Sequence, residues 1–166
     1  MPDKETMERA NADARAGKSP STQAGEFVRE EIHHIREGKH GARSTKQAIA
    51  IGLSKARRAG VRLGSPAKGK TSAKVREQAA RDYRQGQAHP RHKPSVRRSR
   101  AVLRALKKER ANAASSESLA RHAHRAAMQR GPRARHRASI KAVRTKGPQG
   151  RRAAARKAAG TRRASA

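Results

Sequence analysis

Cysteine and tryptophan are absent from this chain of 166 residues, and Phe27 and Tyr83 are its only aromatic side chains. The lack of cysteine excludes a disulfide scaffold, a thiolate zinc site and a thiol nucleophile. Two aromatic rings speak against RNA-recognition or OB-type surfaces, which stack bases on rings. Large apolar residues are scarce as well: Val, Ile, Leu and Phe number 6, 5, 5 and 1, which is 17 of 166. That lies well under the share of about 20% below which a highly charged chain is expected to be largely disordered. Most of the nominal hydrophobic content is alanine, which buries little area, so one core spanning the whole chain is not expected. No stretch approaches the roughly 18 apolar residues of a membrane span, and the first residues show no apolar run of signal-peptide type. The expectation is a cytoplasmic protein without a membrane partner.

What the chain has instead is positive charge. Lys and Arg total 43 against 12 Asp and Glu, a formal net charge of +31. The distribution is uneven. Residues 1–37 hold eight of the acids and six bases, a net of −2, so the remaining 129 residues carry +33. No acid follows Glu117, whereas fifteen Lys and Arg do. A solubilising surface mixes both signs, and 37 bases against 4 acids beyond residue 37 do not. Such a surface releases condensed counterions when it lies along a phosphate backbone. Arg outnumbers Lys by 29 to 14, which favours bidentate phosphate contacts and insertion into narrow minor grooves.

The hydrophobic pattern is clearest from Ser21 to Leu63. Ser21 or Thr22 can cap a helix whose positions Ala24, Phe27, Val28, Ile32 and Ile35 recur at three- and four-residue steps, and Gly38 stands at its end. After a short connector, Ser44 and Gln47 form a capping-box signature ahead of Ala48, Ile49, Gly52, Leu53 and Ala56. This predicts an αα-hairpin over 21–63 in which Gly52 lets the helices approach closely and Val61 and Leu63 fold back. Residues 1–20 read as a flexible N-terminal segment. Gly64–Pro94 reads as a linker, with a candidate helix over 72–85 carrying Val75, Ala79 and Tyr83 and a break from Gly86 to Pro94. Ser95 caps a helix with Val96, Leu103 and Leu106 at seven-residue-repeat spacing, and Ser115 or Ser116 starts another that stops at Gly131-Pro132. These two basic helices occupy 95–131. From 132 to 166 the text is Ala, Arg, Lys, Gly and Pro, predicted as a disordered cationic tail.

The block STQAGEFVREEIHHIREGKHGARSTKQAIAIGLSKARRAGV, Ser21 to Val61, resembles a family of small, very basic bacterial proteins labelled DNA-binding or plasmid-stabilisation proteins. The later blocks RSRAVLRALKKER and SLARHAHRAAMQRGP are similar to the second half of those proteins. The resemblance implies association with DNA. Separately, the Ala/Lys/Arg tail resembles linker-histone tails, and Ser65-Pro66-Ala67-Lys68 is similar to their Ser-Pro-x-Lys minor-groove units.

Candidate phosphate contacts are Arg43, Lys46, Lys55, Arg57 and Arg58 outside the hairpin stripe. To these are added Arg97, Arg98, Arg100, Arg104, Lys107 and Lys108 on the helix after Ser95, and Arg151, Arg152, Arg156, Lys157, Arg162 and Arg163 in the tail. A sequence-reading helix-turn-helix is not expected, since the connector is longer than its tight turn and a third helix is missing. Eight histidines raise a metal question: His33, His34 and His40 flank the connector, His89 and His92 lie in the Pro-rich break, and His122 and His124 share a helix. Adjacent or i,i+2 helical positions do not face one ligand and the surroundings are basic, so these read as exposed histidines and no metal or other cofactor is expected. Glu26, Glu30 and Glu31 read as a solvated or ion-paired face. Neither a P-loop nor a nucleophile elbow is present, Gly69-Lys70-Thr71 failing the spacing, and no enzyme is expected.

The expected protein is therefore all-α and partly disordered. Its expected role is sequence-tolerant binding of double-stranded DNA in a nucleoid-associated, histone-like manner. RNA or ribosome association is the first rival, and a protein-interaction adaptor localised by its basic tail the second. Because two short helices form a single layer, the stripe of Phe27, Val28, Ile32, Ile35, Ile49 and Leu53 is expected to support a weak homodimer, with the Val96, Leu103, Leu106 face as the alternative cover.

Overall fold

A computed structural model describes residues 2–88 and 95–164, and among these the protein is all helical, without a named strand. The helices are α1 (Lys4–Arg15), α2 (Pro20–Arg36), α3 (Thr45–Arg58), α4 (Ala73–Gln87), α5 (Val96–Lys107), α6 (Ser116–Gln129) and α7 (Gly131–Ala164), with a short 3₁₀ turn at Ala111–Ala114. The chain forms two compact units, Met1–Ala120 and Arg121–Ala166.

The expected hairpin is α2 and α3. Ser44 caps α3 by accepting from the Gln47 amide at 3.2 Å, and the Gln47 side chain accepts in return from the Arg43 amide at 2.8 Å. Reciprocal bonding of this kind satisfies amides that have no partner within the helix. Gly38 ends α2 at φ 72°, a left-handed conformation that a Cβ disfavours. At the other end, α2 starts one residue before the expected caps, with Ser19 preceding Pro20 at the first helical position and making no side-chain cap bond. Proline suits that place because its fixed φ is already helical and its missing N–H is not needed. Gly52 faces the backbone of Val28 so closely that a Cβ there would lie 2.7 Å from the Val28 Cα.

Two small clusters form the core. One holds Ala10, Ala24, Phe27 and Ala56, with Met7, Leu53, Ala59, Val61 and Leu63 packed beside it. The other holds Ile32, Ile35, Ala42, Ala48, Ala113 and Ala114, with Val28 and Leu119 beside it. Alanine is frequent in both because the helices approach to backbone distance, and there a methyl group is enough to exclude water.

Several expectations are corrected. Over its described residues 2–20, the segment expected to be flexible is structured: α1 packs on α2 through Thr6 and Ala10, both buried, and Arg9 bridges to Glu26 at 2.6 Å. The stripe is too short on large apolar residues to be obvious, yet Thr6, Met7 and Ala10 follow the helical three- and four-residue steps. The break expected from Gly86 does not begin there, because α4 runs through Gln87. Gly86 lies against α3, where a Cβ would be 1.8 Å from the Arg57 carbonyl oxygen. Further along that break, Pro90 and Pro94 lie outside the described residues.

The layer left open by the hairpin is closed within the protomer. Arg110 and Leu106 carbonyls accept from the Ala42 and Gly41 amides at 3.2 and 2.9 Å. Thr45 Oγ1 donates to the Ala113 carbonyl at 2.7 Å and Arg36 Nε to that of Ala114 at 2.9 Å. The cover is therefore the Ala-rich turn after α5, and the Val96 and Leu103 face of α5 stays exposed. Phe27, Ile32 and Ile35 are buried in the chain's own core, so the stripe expected to support a homodimer is already occupied. Its remaining members, Val28, Ile49 and Leu53, are half-buried.

The tail expected to be disordered is the helix α7, none of whose residues is buried. Alanine, arginine and lysine are strong helix formers, so this composition sustains a helix without a core. Gly147 interrupts it at φ 62° and ψ 179°, followed by Pro148, so two helical stretches are joined at that point. The last two positions of the expected tail, 165–166, lie outside the described residues.

Candidate nucleic-acid interface

The cationic residues divide into those held inside the fold and those that face solvent. Arg43 and Lys46 are exposed at the start of α3, the former just before it. All six candidates of α5, Arg97, Arg98, Arg100, Arg104 and Lys107 with Lys108 at its end, are exposed. The same holds for Arg151, Arg152, Arg156, Lys157, Arg162 and Arg163 on α7. Neither α5 nor α7 carries an acid of its own, so no pair within either helix offsets these bases. On α5 the bases share the helix with exposed Val96, Val102 and Leu103. Ser95 fixes the start of α5 by accepting from the Arg98 amide at 3.5 Å.

Two candidates do not belong to this surface. Arg57 is 7% exposed, and its guanidinium donates to the carbonyls of Leu63 at 3.1 Å and Gly64 at 3.2 Å, closing the turn after α3. Burial lowers its pKa, partly opposed by the charge of Asp82. Lys55 points inward, with Nζ 2.7 Å from Glu31 Oε2 and 3.2 Å from Glu30 Oε1. Arg58 is exposed, but its Nε stands 4.0 Å from Asp82 Oδ1. Helical periodicity alone sets Lys55 and Arg57 outside, because their partners come from other turns of the chain, 25 and 6 residues away in the two named hydrogen bonds.

The acids show the converse. Glu30 and Glu31 are buried, not a solvated face, and the ion pairing foreseen for them is made to Lys55. Glu26 is held by Arg9. Asp82, on α4, is buried and accepts from Ser54 Oγ at 2.6 Å and from Gln78 Nε2 at 3.0 Å. Three acids, Glu30, Glu31 and Asp82, are thereby enclosed, while the candidate bases of α5 and of α7 are exposed.

The histidines also depart from the expected exposure. His33 is exposed, but His34 and His40 keep only 13% and 9% of their side-chain surface. Their ring centroids lie 6.3 Å apart at an interplanar angle of 83°. The His89 and His92 pair lies outside the described residues. Asp3 caps this corner: its carboxylate meets His34 Nε2 at 3.0 Å, and that hydrogen bond holds its pKa below the ordinary value.

Residues 15–68 match DUF6496, a family of unknown function. The match covers about a third of the 166 residues and spans the α2–α3 hairpin with the turn that follows it. No curated protein and no solved structure matches the chain. No described helix is long and apolar enough to cross a membrane.

Proposed function

We propose that this protein binds double-stranded DNA without reading its sequence, by laying the arginines and lysines of α5, α7 and the start of α3 along the phosphate backbone. The observation that carries this reading is the asymmetry of the exposed charge. Beyond residue 37 there are 37 bases and 4 acids, and of the acids Asp82 is buried. A surface of one sign costs self-repulsion in the free protein, and neutralisation by phosphate relieves it. Counterion release then supplies affinity for any duplex. A nucleoid-associated, histone-like role, with the plasmid-stabilisation setting implied by the family resemblance, fits such binding and requires no catalytic group.

The rival adaptor reading relies on an acidic hairpin face, and its main residues Glu30 and Glu31 are enclosed with Lys55. RNA is the competing polyanion, because phosphate neutralisation alone does not separate the two duplexes.

Fluorescence anisotropy with duplexes of unrelated sequence tests the proposal across a series of salt concentrations. If about eight phosphates are engaged, log K against log salt has a slope near −7. Affinities for the different duplexes should agree closely, and structured RNA should compete less well than DNA. A flat salt response or a strong preference for one sequence overturns the reading.

A further inference from the structure

The connector between α2 and α3 closes over carboxylates and imidazoles for which the cationic surface has no use. Glu31 is fully buried at 0% exposure, yet neither of its carboxylate oxygens has a hydrogen bond of good geometry. Buried carboxylates in that condition are costly and call for a compensating positive centre. Lys55 Nζ stands 2.7 Å from Oε2, and His40 Nε2 stands 3.4 Å from Oε1. His40 is oriented by its other nitrogen, since Nδ1 lies 3.1 Å from the Gly41 carbonyl oxygen. A carbonyl only accepts, so Nδ1 donates there and Nε2 is the nitrogen that faces Glu31 Oε1. An electropositive centre held between Nε2 and the carboxylate satisfies both groups.

His34 completes the arrangement. Its Nε2 meets Asp3 Oδ2 at 3.0 Å, so Nδ1 is the donor left over. A carboxylate on the far nitrogen of an imidazole is the partner that orients metal-bound histidines and raises their basicity. One donor atom each from Glu31, His34 and His40 lies within 4.8 Å of the others. A tetrahedral ion at about 2.0–2.1 Å from its ligands draws the three donor atoms closer together than they stand in the free protein. Glu30 is engaged by the Asp3 amide at 3.2 Å and by Lys55, which makes it a supporting group. A cavity of about 200 Å³, lined in part by Asp3, Thr6, Glu30 and His34, opens beside His34.

Charge supports the same conclusion. Asp3, Glu30 and Glu31 bring three carboxylates together, and Lys55 is the cation paired with two of them. A divalent cation adds to the compensation that Lys55 supplies.

We propose that Glu31, His34 and His40 bind a divalent transition-metal ion, Zn²⁺ by donor type, and that Asp3 positions His34 for it. Two imidazoles and a carboxylate suit borderline ions better than Mg²⁺ or Ca²⁺, which prefer all-oxygen sets. Bound there, the ion ties the connector to the inner side of α2 and, through Asp3, to the start of α1. The site is independent of nucleic-acid binding.

Untagged full-length protein, stripped with EDTA, is titrated with Zn²⁺ by calorimetry and with Co²⁺ by visible absorption. One saturable ion per chain is expected, with the intense bands of tetrahedral Co²⁺ and a rise in thermal midpoint. His40→Ala should weaken Zn²⁺ binding about tenfold or more and abolish those bands, whereas His33→Ala on the exposed neighbour should leave both unchanged. Glu31→Gln, which keeps shape and removes the charge, should weaken binding similarly and guards against a variant that merely fails to fold. Absence of saturable binding overturns the proposal, as does binding undiminished in both His40→Ala and Glu31→Gln. Finding both His40 nitrogens protonated by NMR in stripped protein that takes up no Zn²⁺ would assign the corner to a plain ion pair.

Discussion

Replacing Lys55 with methionine separates the two roles that a lysine on a basic protein can have. Its Nζ is within 3.2 Å of Glu30 and 2.7 Å of Glu31, whose side chains are 2% and 0% exposed. Methionine fills much of the same volume but removes the charge, leaving two enclosed carboxylates without their cation. Breaking a buried pair in this way costs about 3–5 kcal/mol. Lys55 itself keeps 20% exposure, so water screens part of the loss and the lower end of about 3 kcal/mol is expected. That is a large share of the roughly 5–15 kcal/mol that stabilises an ordinary domain. Urea denaturation followed by circular dichroism, with EDTA present, reads this loss directly. Adding Glu31→Gln to the same chain removes one uncompensated charge and should restore about 1 kcal/mol or more, a coupling that a double-mutant cycle isolates. The salt slope of DNA binding should not move. If Lys55→Met instead leaves stability within about 0.5 kcal/mol and lowers the slope by about 0.9, then Lys55 lies on phosphate and the inward pairing is wrong.

Other perturbations follow the same division. Gly52→Ala places a Cβ 2.7 Å from the Val28 Cα and 2.9 Å from its amide nitrogen; backbone cannot yield like a side chain, so a loss of about 1–3 kcal/mol is expected in the same denaturation assay. Arg43→Ala with Lys46→Ala should flatten the salt slope by up to about 1.8 while leaving the unfolding midpoint unchanged, since both are exposed and each phosphate contact contributes about 0.9. Deleting residues 131–164 should lower far-ultraviolet helicity and DNA affinity together, yet leave the stability of the remainder within about 0.5 kcal/mol, because α7 buries nothing. Helicity of α7 in the intact chain should rise with added salt or DNA, which weakens repulsion among its like charges; a helical signal indifferent to both would count against an unsupported cationic helix.

The hairpin is legible in the sequence because its signals are local. Ser44 and Gln47 are three residues apart, Gly38 and Gly60 stand at helix ends with positive φ, and the apolar steps of α2 fall within one window. What escapes a local reading is long-range. Nothing near Gly41 indicates that the Glu109 carbonyl will lie where its Cβ would be, 1.9 Å away. Ala113 and Ala114 carry no strong hydrophobic signal, yet they cover Ile35 and Ala48 as part of one cluster. Burial of Glu30 and Glu31 depends on Lys55, 25 and 24 residues later, and no periodicity of α2 distinguishes an enclosed carboxylate from a solvated one. Spacing poses the metal question for neighbouring histidines on one helix, whereas the pair that converges is His34 and His40, brought together by the turn at Gly38 and joined by Glu31 from one turn back. For α7, composition argues against a core, and the helix buries none of its residues; it does not argue against a helix, because alanine and arginine hold one without burial.

Scarcity of large apolar residues and excess of arginine meet in one physical arrangement. With only 17 Val, Ile, Leu and Phe, the hairpin region cannot be held by bulk burial alone, and it uses close helix approach at Gly52 and Gly86 with alanine between. Close approach leaves buried polar groups little water, so each must be matched inside: Glu30 and Glu31 with Lys55, Asp82 with Ser54 and Gln78, Arg57 with the carbonyls after α3. Matching encloses three of the twelve acids, Glu30, Glu31 and Asp82. Every carboxylate enclosed in this way is one fewer at the surface, and α5 and α7 carry no acid of their own. An acid placed on those helices would therefore weaken DNA binding in two ways, by repelling phosphate and by pairing with the neighbouring arginines that now face solvent.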